Sequence, residues 1–507
     1  MTVRDDEAIV RAAYERVPYP SASQYHTHPD HLAVLGLLHG LDPAPPERAR
    51  VLELGCADGG NLIPMALEMP DARFLGIDLS PRQIETGRTQ LAELGLKNLE
   101  LRALSILDIG EDFGTFDYIL CHGVFSWVTE AVQEQILAVC KRHLAPNGVA
   151  YVSYNTLPGW HQRRMVRDMV LYHTRGIDDP EQQASRAFEL VRFLADSAGD
   201  ATDAHSVLLR AAREHFEEYA DRPHYVLHEY LEATNAPLYF HEMAARARQH
   251  GLQYMAEADP ALMEIDNLAA DVARKLRSYA SDRIDLEQYL DFVLNRSFRR
   301  TLFSHDAIQI DRAMRPERMR RFYISTTTKA VGDEPGHFRT ERGRTFASTH
   351  PVANGVLQKL IAAAPEALAY EELPQDPVLP DLLYSLFWTG VIDLYLLPPM
   401  CTNTVSARPL ATALGRRQAS AGLLVTNQRR RVLKLDDPIA RFLLQQLDGT
   451  KDRSALVRLL DREVAAGRLD ISVDGQPIRE PHRIPSVLQA VLDHHLRRMV
   501  ELALLVG

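Results

Sequence analysis

The segment Val51-Leu52-Glu53-Leu54-Gly55-Cys56-Ala57-Asp58-Gly59-Gly60-Asn61 constrains this chain more than any other stretch of it. An apolar run ends in glycines, where a backbone without Cβ can turn sharply and come close to a ligand. After a helix-length gap follows Phe74-Leu75-Gly76-Ile77-Asp78-Leu79-Ser80, a second apolar run that ends in a carboxylate. A carboxylate at that point accepts hydrogen bonds from two ribose hydroxyls, so the pair reads as the first half of a nucleoside-binding sheet.

The alternation continues downstream. Strands are expected at 50–54, 73–77, 98–102, 116–121 and 148–153, with helices at 60–68, 81–94 and 130–143. Strands that alternate with helices of this length form a parallel sheet with crossover helices, a Rossmann-like α/β arrangement. Upstream, an amphipathic helix at 7–17 must stop at Pro18-Tyr19-Pro20, and 29–41 is helical. Beyond residue 160 helical periodicity takes over to about 235, and the sheet lacks its last strands. Leu252 to Ala256 and Ser297 to Phe303 can supply them, so 160–235 is expected to be a helical insertion within a unit spanning 1–308. A separate domain from about 210 to 310 is the alternative. A helix-helix-strand order at 351–364, 379–389 and 391–396 suggests a winged-helix-like middle domain at 309–400. Its loose repetition at 437–447, 453–466 and 469–473, closed by a helix at 483–501, suggests another at 401–507.

Composition excludes several function classes. The 507 residues carry a net charge of −11, which repels nucleic acid. The arginine groups at 296–300, 312–321 and 429–431 lack interleaved stacking aromatics and read as solvated helix faces and strand ends. Cys56, Cys121, Cys140 and Cys401 have neither disulfide-framework nor zinc spacing, and His26-x-His28-x-x-His31 has no carboxylate or cysteine at a ligating distance along the chain, so no metal is expected. Without a leader-like N-terminus or an eighteen-residue apolar run, the chain is expected in the cytoplasm with no membrane insertion; a homodimer stays open.

Glu53 inside the first strand and short polar side chains at Asp58 to Asn61 decide which nucleoside is favoured. A dinucleotide diphosphate wants a bare helix N-terminus, whereas an amino-acid tail wants a carboxylate for its ammonium group. S-adenosylmethionine is therefore expected over a dinucleotide. Glu53, Gly55, Asp58, Gly59 and Asn61 then face the methionine part and Asp78 the ribose. Leu79, Ser80 and Gln83 flank the adenosine, and Ser105 and Ile106 in Leu104-Ser105-Ile106-Leu107-Asp108 face adenine. His122, after the fourth strand, is the candidate to polarise or deprotonate an acceptor, because an unperturbed imidazole titrates near neutrality. Tyr154 and Asn155 end the fifth strand opposite it. Tyr14 and Tyr19 read as an aromatic lid, Tyr19 over the cofactor and Tyr14 toward the substrate; Trp127 and Trp160 complete the acceptor side.

Tyr14-Glu-Arg-Val-Pro-Tyr-Pro-Ser21, Val51 to Ala66, Cys121-His-Gly-Val-Phe-Ser-Trp127 and Ser153-Tyr-Asn-Thr-Leu-Pro-Gly-Trp160 resemble bacterial methyltransferases that carry a methyltransferase regulatory domain. The regulatory signature is similar at Leu227-His-Glu-Tyr-Leu-Glu-Ala-Thr-Asn235, Tyr239-Phe240, Gly251 to Tyr254 and Asn295 to Leu302, a segment of about 213–305. Within that group the long architecture resembles the protein lysine methyltransferases that modify outer-membrane proteins. The resemblance implies a class I methyltransferase sheet with a helical insertion, α+β winged-helix-like domains after it, and methyl transfer from S-adenosylmethionine to lysine on a protein or peptide, leaving S-adenosylhomocysteine. Two other readings stay open: a small-molecule methyltransferase whose C-terminal half is a specificity and dimer scaffold, and a non-catalytic sensor of S-adenosylmethionine.

Overall fold

The computed structural model describes residues 3–19, 21–332, 336–470, 472–473, 476–477 and 484–507. Ile471 of the expected strand at 469–473, and residue 483 at the start of the expected last helix, lie outside the described residues; Ser472–Val473 and Ile484–Glu501 are strand and helix.

Seven strands form the central sheet: β1 (Arg50–Leu54), β2 (Arg73–Asp78), β3 (Leu99–Ala103), β4 (Phe116–Cys121), β5 (Leu144–Asn155), β6 (Leu252–Glu257) and β7 (Phe298–His305). Their order is β3-β2-β1-β4-β5-β7-β6; the first five are parallel and β7 runs antiparallel to both neighbours. Residues 252–303 thus complete the sheet across a helical excursion. The strand order reverses between β1 and β4, so the crevice over the carboxyl ends of those strands is where a ligand fits.

Helices α1 (Val3–Arg16), α2 (Pro29–Leu38), α3 (Leu62–Glu68), α4 (Pro81–Leu94) and α5 (Glu130–His143) follow the expected pattern. Helix α4 starts cleanly because Pro81 sits in its first turn and Ser80 Oγ accepts from Gln83 N at 3.3 Å. The insertion is built from α6 (Gly159–Thr174), α7 (Pro180–Ala198) and α8 (Ala204–Glu217), then a π-helical turn at Leu227–Leu231 that brings the chain back over the sheet. It has its own apolar core, in which Val170, Phe188, Val191, Phe216 and Tyr230 pack together.

C-terminal to the sheet, Tyr323–Ser325 lies between Leu368–Ala369 and Asp393–Tyr395 in a three-stranded sheet. Its residues share one apolar cluster with the methyltransferase sheet, since Leu32 and Leu35 of α2 cluster with Leu357, Leu383 and Phe387. The last hundred residues have a core of their own around Leu443, Leu456, Leu492 and Leu505. Among the described residues, no helix is long and apolar enough to cross a membrane.

Two of the three arginine groups are not the solvated faces expected of them, whereas in the group at 312–321 Arg312, Arg315, Arg320 and Arg321 are exposed as expected. Arg299, fully buried, donates to Asp291, Glu257 and Glu287, and Arg296 pairs with Asp291 at 2.9 Å. Arg312 donates to the carbonyls of Tyr254 and Met255. Arg429 and Arg430 are buried at the tip of the hairpin formed by Leu424–Thr426 and Val432–Lys434. A guanidinium leaves water only where oxygens replace its hydration. For Arg299 these come from the nearby Glu287 and Asp291 as well as Glu257, and for Arg429 and Arg430 from segments far away in the chain.

Candidate active site

A cavity of about 460 Å³ opens over the carboxyl ends of β1, β2, β4 and β5. Its floor is the β1 turn. Gly55 holds φ +74, Ala57 φ +51 and Gly59 φ +80, the left-handed backbone that the glycine pattern predicts. A Cβ on Gly55 would run into Val124, so β1 and the loop after β4 close over each other only because that Cβ is missing.

Glu53 is buried at 3% exposure; its Oε1 accepts from Asn61 Nδ2 at 2.7 Å, and its Oε2 has no partner. Burial pushes this carboxyl up to about 7. An unpartnered carboxylate oxygen on the cavity wall is the complement of an ammonium group. Asp78 accepts from Ala57 N and Ser80 N, both at 2.9 Å, which fixes its two oxygens at the end of β2. Burial raises its carboxyl despite those bonds. Leu79, Leu104 and Ile106 supply apolar wall beside it, and Gln83 lines the same side. These groups fit an adenosyl amino acid: an orphaned carboxylate for the ammonium, a fixed carboxylate for the ribose, and an apolar slot for the base.

Some expected contacts fall outside the cavity. Asp58 turns away, accepting from Ser21 Oγ and from Gln90 Nε2 at 3.2 Å, and Gly59 packs behind the turn on Leu101. Ser105 is spent on structure: its hydroxyl donates to Glu7 and accepts from Leu107 N at 3.1 Å. Tyr154 is also misplaced by the sequence reading, because its hydroxyl meets Thr301 Oγ1 at 3.1 Å in the core on the opposite face of the sheet from Tyr151. Successive strand residues point to opposite faces, and Asn155, one residue on, is the side chain of that strand end that lines the cavity. Its Nδ2 is buried without a partner.

His122 lines the cavity, with Nδ1 2.8 Å from the Tyr151 hydroxyl. Burial, aided by the nearby Arg300 charge, pushes the imidazole down to about 3. It is therefore a neutral hydrogen-bonding group at physiological pH, not the near-neutral base that an unperturbed histidine would supply.

The far wall carries Trp127 and Trp160, which the sequence placed on the acceptor side, together with Arg163, Tyr225, His228 and Glu229, to which it assigned no role at the site. Arg163 of α6 pairs with Glu229 of the π-helical turn at 3.1 Å, and both line the cavity with Tyr225 and His228. Trp127 and Trp160 meet edge to face with centroids 6.0 Å apart. Burial pushes the Glu229 carboxyl up, against the lowering influence of Arg163. The Leu227 to Asn235 motif was the available signal, but no local spacing says that it faces the β1 turn.

The roof is the N-terminal strap. Tyr14 stacks on His228 with centroids 5.0 Å apart, and Tyr19, 41% exposed, meets the same ring edge-on. Backbone ties hold the strap down: Val17 O to His228 Nε2 at 3.1 Å, Tyr19 O to Gln83 Nε2 at 3.0 Å, and Gln24 N to Asn61 Oδ1 at 2.8 Å. Gly60 N donates to Ser21 Oγ at 2.6 Å.

Comparison with known proteins agrees with this geometry. Residues 52–150 match a methyltransferase domain, 222–305 a predicted methyltransferase regulatory domain, and 407–504 the C-terminal winged helix domain of PKMT. An uncharacterized protein of Rickettsia prowazekii is 32% identical over 521 residues, covering 97% of this chain and 93% of that protein. A second protein of that organism is 41% identical over 239 residues, which is 47% of this chain and 95% of the relative. The structure of PKMT2 from Rickettsia typhi is similar at a TM-score of 0.85 and 30% identity, over 96% of this chain and 100% of that one. The same protein in complex with AdoHcy is similar at the same score over 97% of this chain.

Proposed function

The chain belongs to the PKMT family of S-adenosylmethionine-dependent methyltransferases, and from that premise we propose that its acceptor is the side-chain amine of lysine in a protein or peptide. The observation that carries the reading is a single cavity with two chemistries. The Glu53 and Asp78 side suits the adenosyl amino acid, and the Trp127, Trp160 and Glu229 side suits a long apolar stem tipped by a cation.

When bound, S-adenosylmethionine supplies a methyl group on a positively charged sulfur. The residues must then deliver a neutral amine. A lysine ammonium titrates at about 10.4 in water, so it has to shed a proton before it can attack. The buried Trp160 indole, the half-buried Trp127 indole and the Arg163 guanidinium favour the amine in its neutral form once it is seated. Glu229 attracts the arriving ammonium, and its raised carboxyl is the oxygen suited to take the proton. Asn155, with its buried and unpartnered Nδ2, and the neutral His122 orient the amine without having to titrate. Tyr14 and the strap exclude water from above.

The test is intact-mass and fragment-ion spectrometry of proteins from the same cell after incubation with this enzyme and S-adenosylmethionine. Mass gains of 14 Da units on lysine, absent with Glu229→Ala, are expected. Methyl transfer confined to free small molecules would overturn the acceptor assignment, and no turnover with any acceptor would leave a sensor.

A further inference from the structure

The tip of the C-terminal winged helix reaches the cofactor site through one buried arginine. Arg430 is 4% exposed and holds φ +64 at the hairpin tip. Its Nη1 donates to Asp30 Oδ2 at 2.7 Å across 400 residues of sequence, and its Nη2 to Glu68 Oε1 at 2.5 Å and to Leu397 O at 3.0 Å. His28 Nε2 lies 3.3 Å from Glu68. The other oxygen of Asp30 accepts from Leu396 N and Leu397 N at 2.9 and 2.7 Å. Ser23 Oγ donates back to the Arg430 carbonyl at 3.2 Å.

This clamp grips the segment from Ser23 to Asp30 at both ends. Between the grips, Thr27 is fully buried and its Oγ1 accepts from Asn61 Nδ2 at 3.0 Å, while Gln24 N donates to Asn61 Oδ1 at 2.8 Å. Asn61 is the residue whose amide holds Glu53 at 2.7 Å. We infer that Arg430 is a positioning residue for the cofactor: by clamping residues 23–30 it fixes Thr27 and Gln24, hence the Asn61 amide, hence the Glu53 carboxylate that receives the cofactor's ammonium.

The chemistry explains why this residue is an arginine. One planar fork satisfies two carboxylates and a carbonyl at fixed angles, which an ammonium point charge does not do. It also gives the winged helix a role that needs no nucleic acid, because the basic tip is spent inside the protein. The inference rests on the cofactor side of the cavity alone and is independent of the acceptor.

The experiment is calorimetric titration of the full chain with S-adenosylhomocysteine, for wild type, Arg430→Lys, Thr27→Val and the double variant, well below each melting temperature. Arg430→Lys is expected to weaken binding by about fivefold or more, the usual scale of coupling between sites. Thr27→Val should cost a similar factor, and the double variant no more than the larger single loss, because both act through Asn61. The KM for S-adenosylmethionine should rise while kcat and the acceptor KM hold, and hydrogen exchange should quicken at residues 23–30. Should Arg430→Lys not fold, Glu68→Gln, which keeps the shape and removes a charge, serves the same comparison. Lowered melting temperature with unchanged S-adenosylhomocysteine affinity, or additive losses in the double variant, would overturn the inference and reduce the clamp to a structural contact.

Discussion

Asn61 Nδ2 donates to Glu53 Oε1 at 2.7 Å and leaves Glu53 Oε2 buried and unpartnered on the wall of the cavity. The carboxylate is thus half satisfied by the protein and half kept for a ligand. Burying it that way is costly, so burial pushes the carboxyl up from 4.5 to about 7.

The first prediction concerns pH and cofactor affinity. An ammonium binds the ionised form of Glu53, so below about 7 a proton must be displaced before the ligand can settle. Affinity for S-adenosylhomocysteine should be about tenfold weaker at pH 6 than at pH 8. Titration calorimetry at both values checks it. Glu53→Gln should bind weakly at both and lose the pH dependence; a wild-type affinity flat across that range would refute the role.

Asp78 joins the β1 turn to the β2 end through Ala57 N and Ser80 N. Asp78→Ala removes those bonds and the acceptors for the ribose together. The loss should be about 3 kcal/mol or more, a hundredfold in Kd. Asp78→Asn should recover part of it. Affinity of Asp78→Ala within tenfold of wild type would mean that the ribose is held elsewhere.

Acid should unfold the protein through its buried histidines. Burial is the main cause that pushes His26, His28, His31, His39 and His122 down, with His39 at about 4 and His122 at about 3. The unfolded chain takes up these protons near pH 6.5, whereas the folded chain refuses them until much lower pH, so stability falls as pH drops below 6.5. For His122 alone the loss by pH 4 is on the order of 3 kcal/mol. Melting temperature measured from pH 7 to pH 4 tests this, and His122→Gln should flatten the slope. The same variant should leave the inflections of kcat between pH 6 and pH 9 unchanged; loss of one would restore the imidazole as the base.

Gly60 tests the strap. A Cβ there would lie 2.5 Å from the Ser21 carbonyl oxygen and against Ser21 Oγ. Gly60→Ala must push residues 17–24 off the β1 turn, costing about 1–3 kcal/mol of stability and weakening the cofactor with it. Proteolysis near Tyr19 and S-adenosylhomocysteine affinity read the two effects. Unaltered cleavage and affinity would show that the strap does not depend on this contact.

Much of the first 155 residues could be read before any coordinates. The strand ends and the turn at Gly55 are local matters of periodicity and backbone freedom. Parity along β5 was equally local, and counting it from Tyr151 puts Asn155, not Tyr154, beside His122. The Arg163 and Glu229 pair, by contrast, joins residues 66 apart that no periodicity connects.

Sequence alone determined the parallel strands β1 to β5 and pointed to a cofactor corner at Glu53 and Asp78, because hydrophobic spacing and turn chemistry act over a few neighbouring residues. That 252–303 completes the sheet, and is not a separate domain, was decided by the strand order. Tertiary structure decided which side chains turn away, as Asp58 and Ser105 do, and which distant ones arrive, as Glu229 and Arg430 do. It also decided that burial pushes the His122 imidazole down and the Glu53 carboxyl up. Desolvation and charge pairing depend on what packs against a group from elsewhere in the chain, and only the folded protein holds that information.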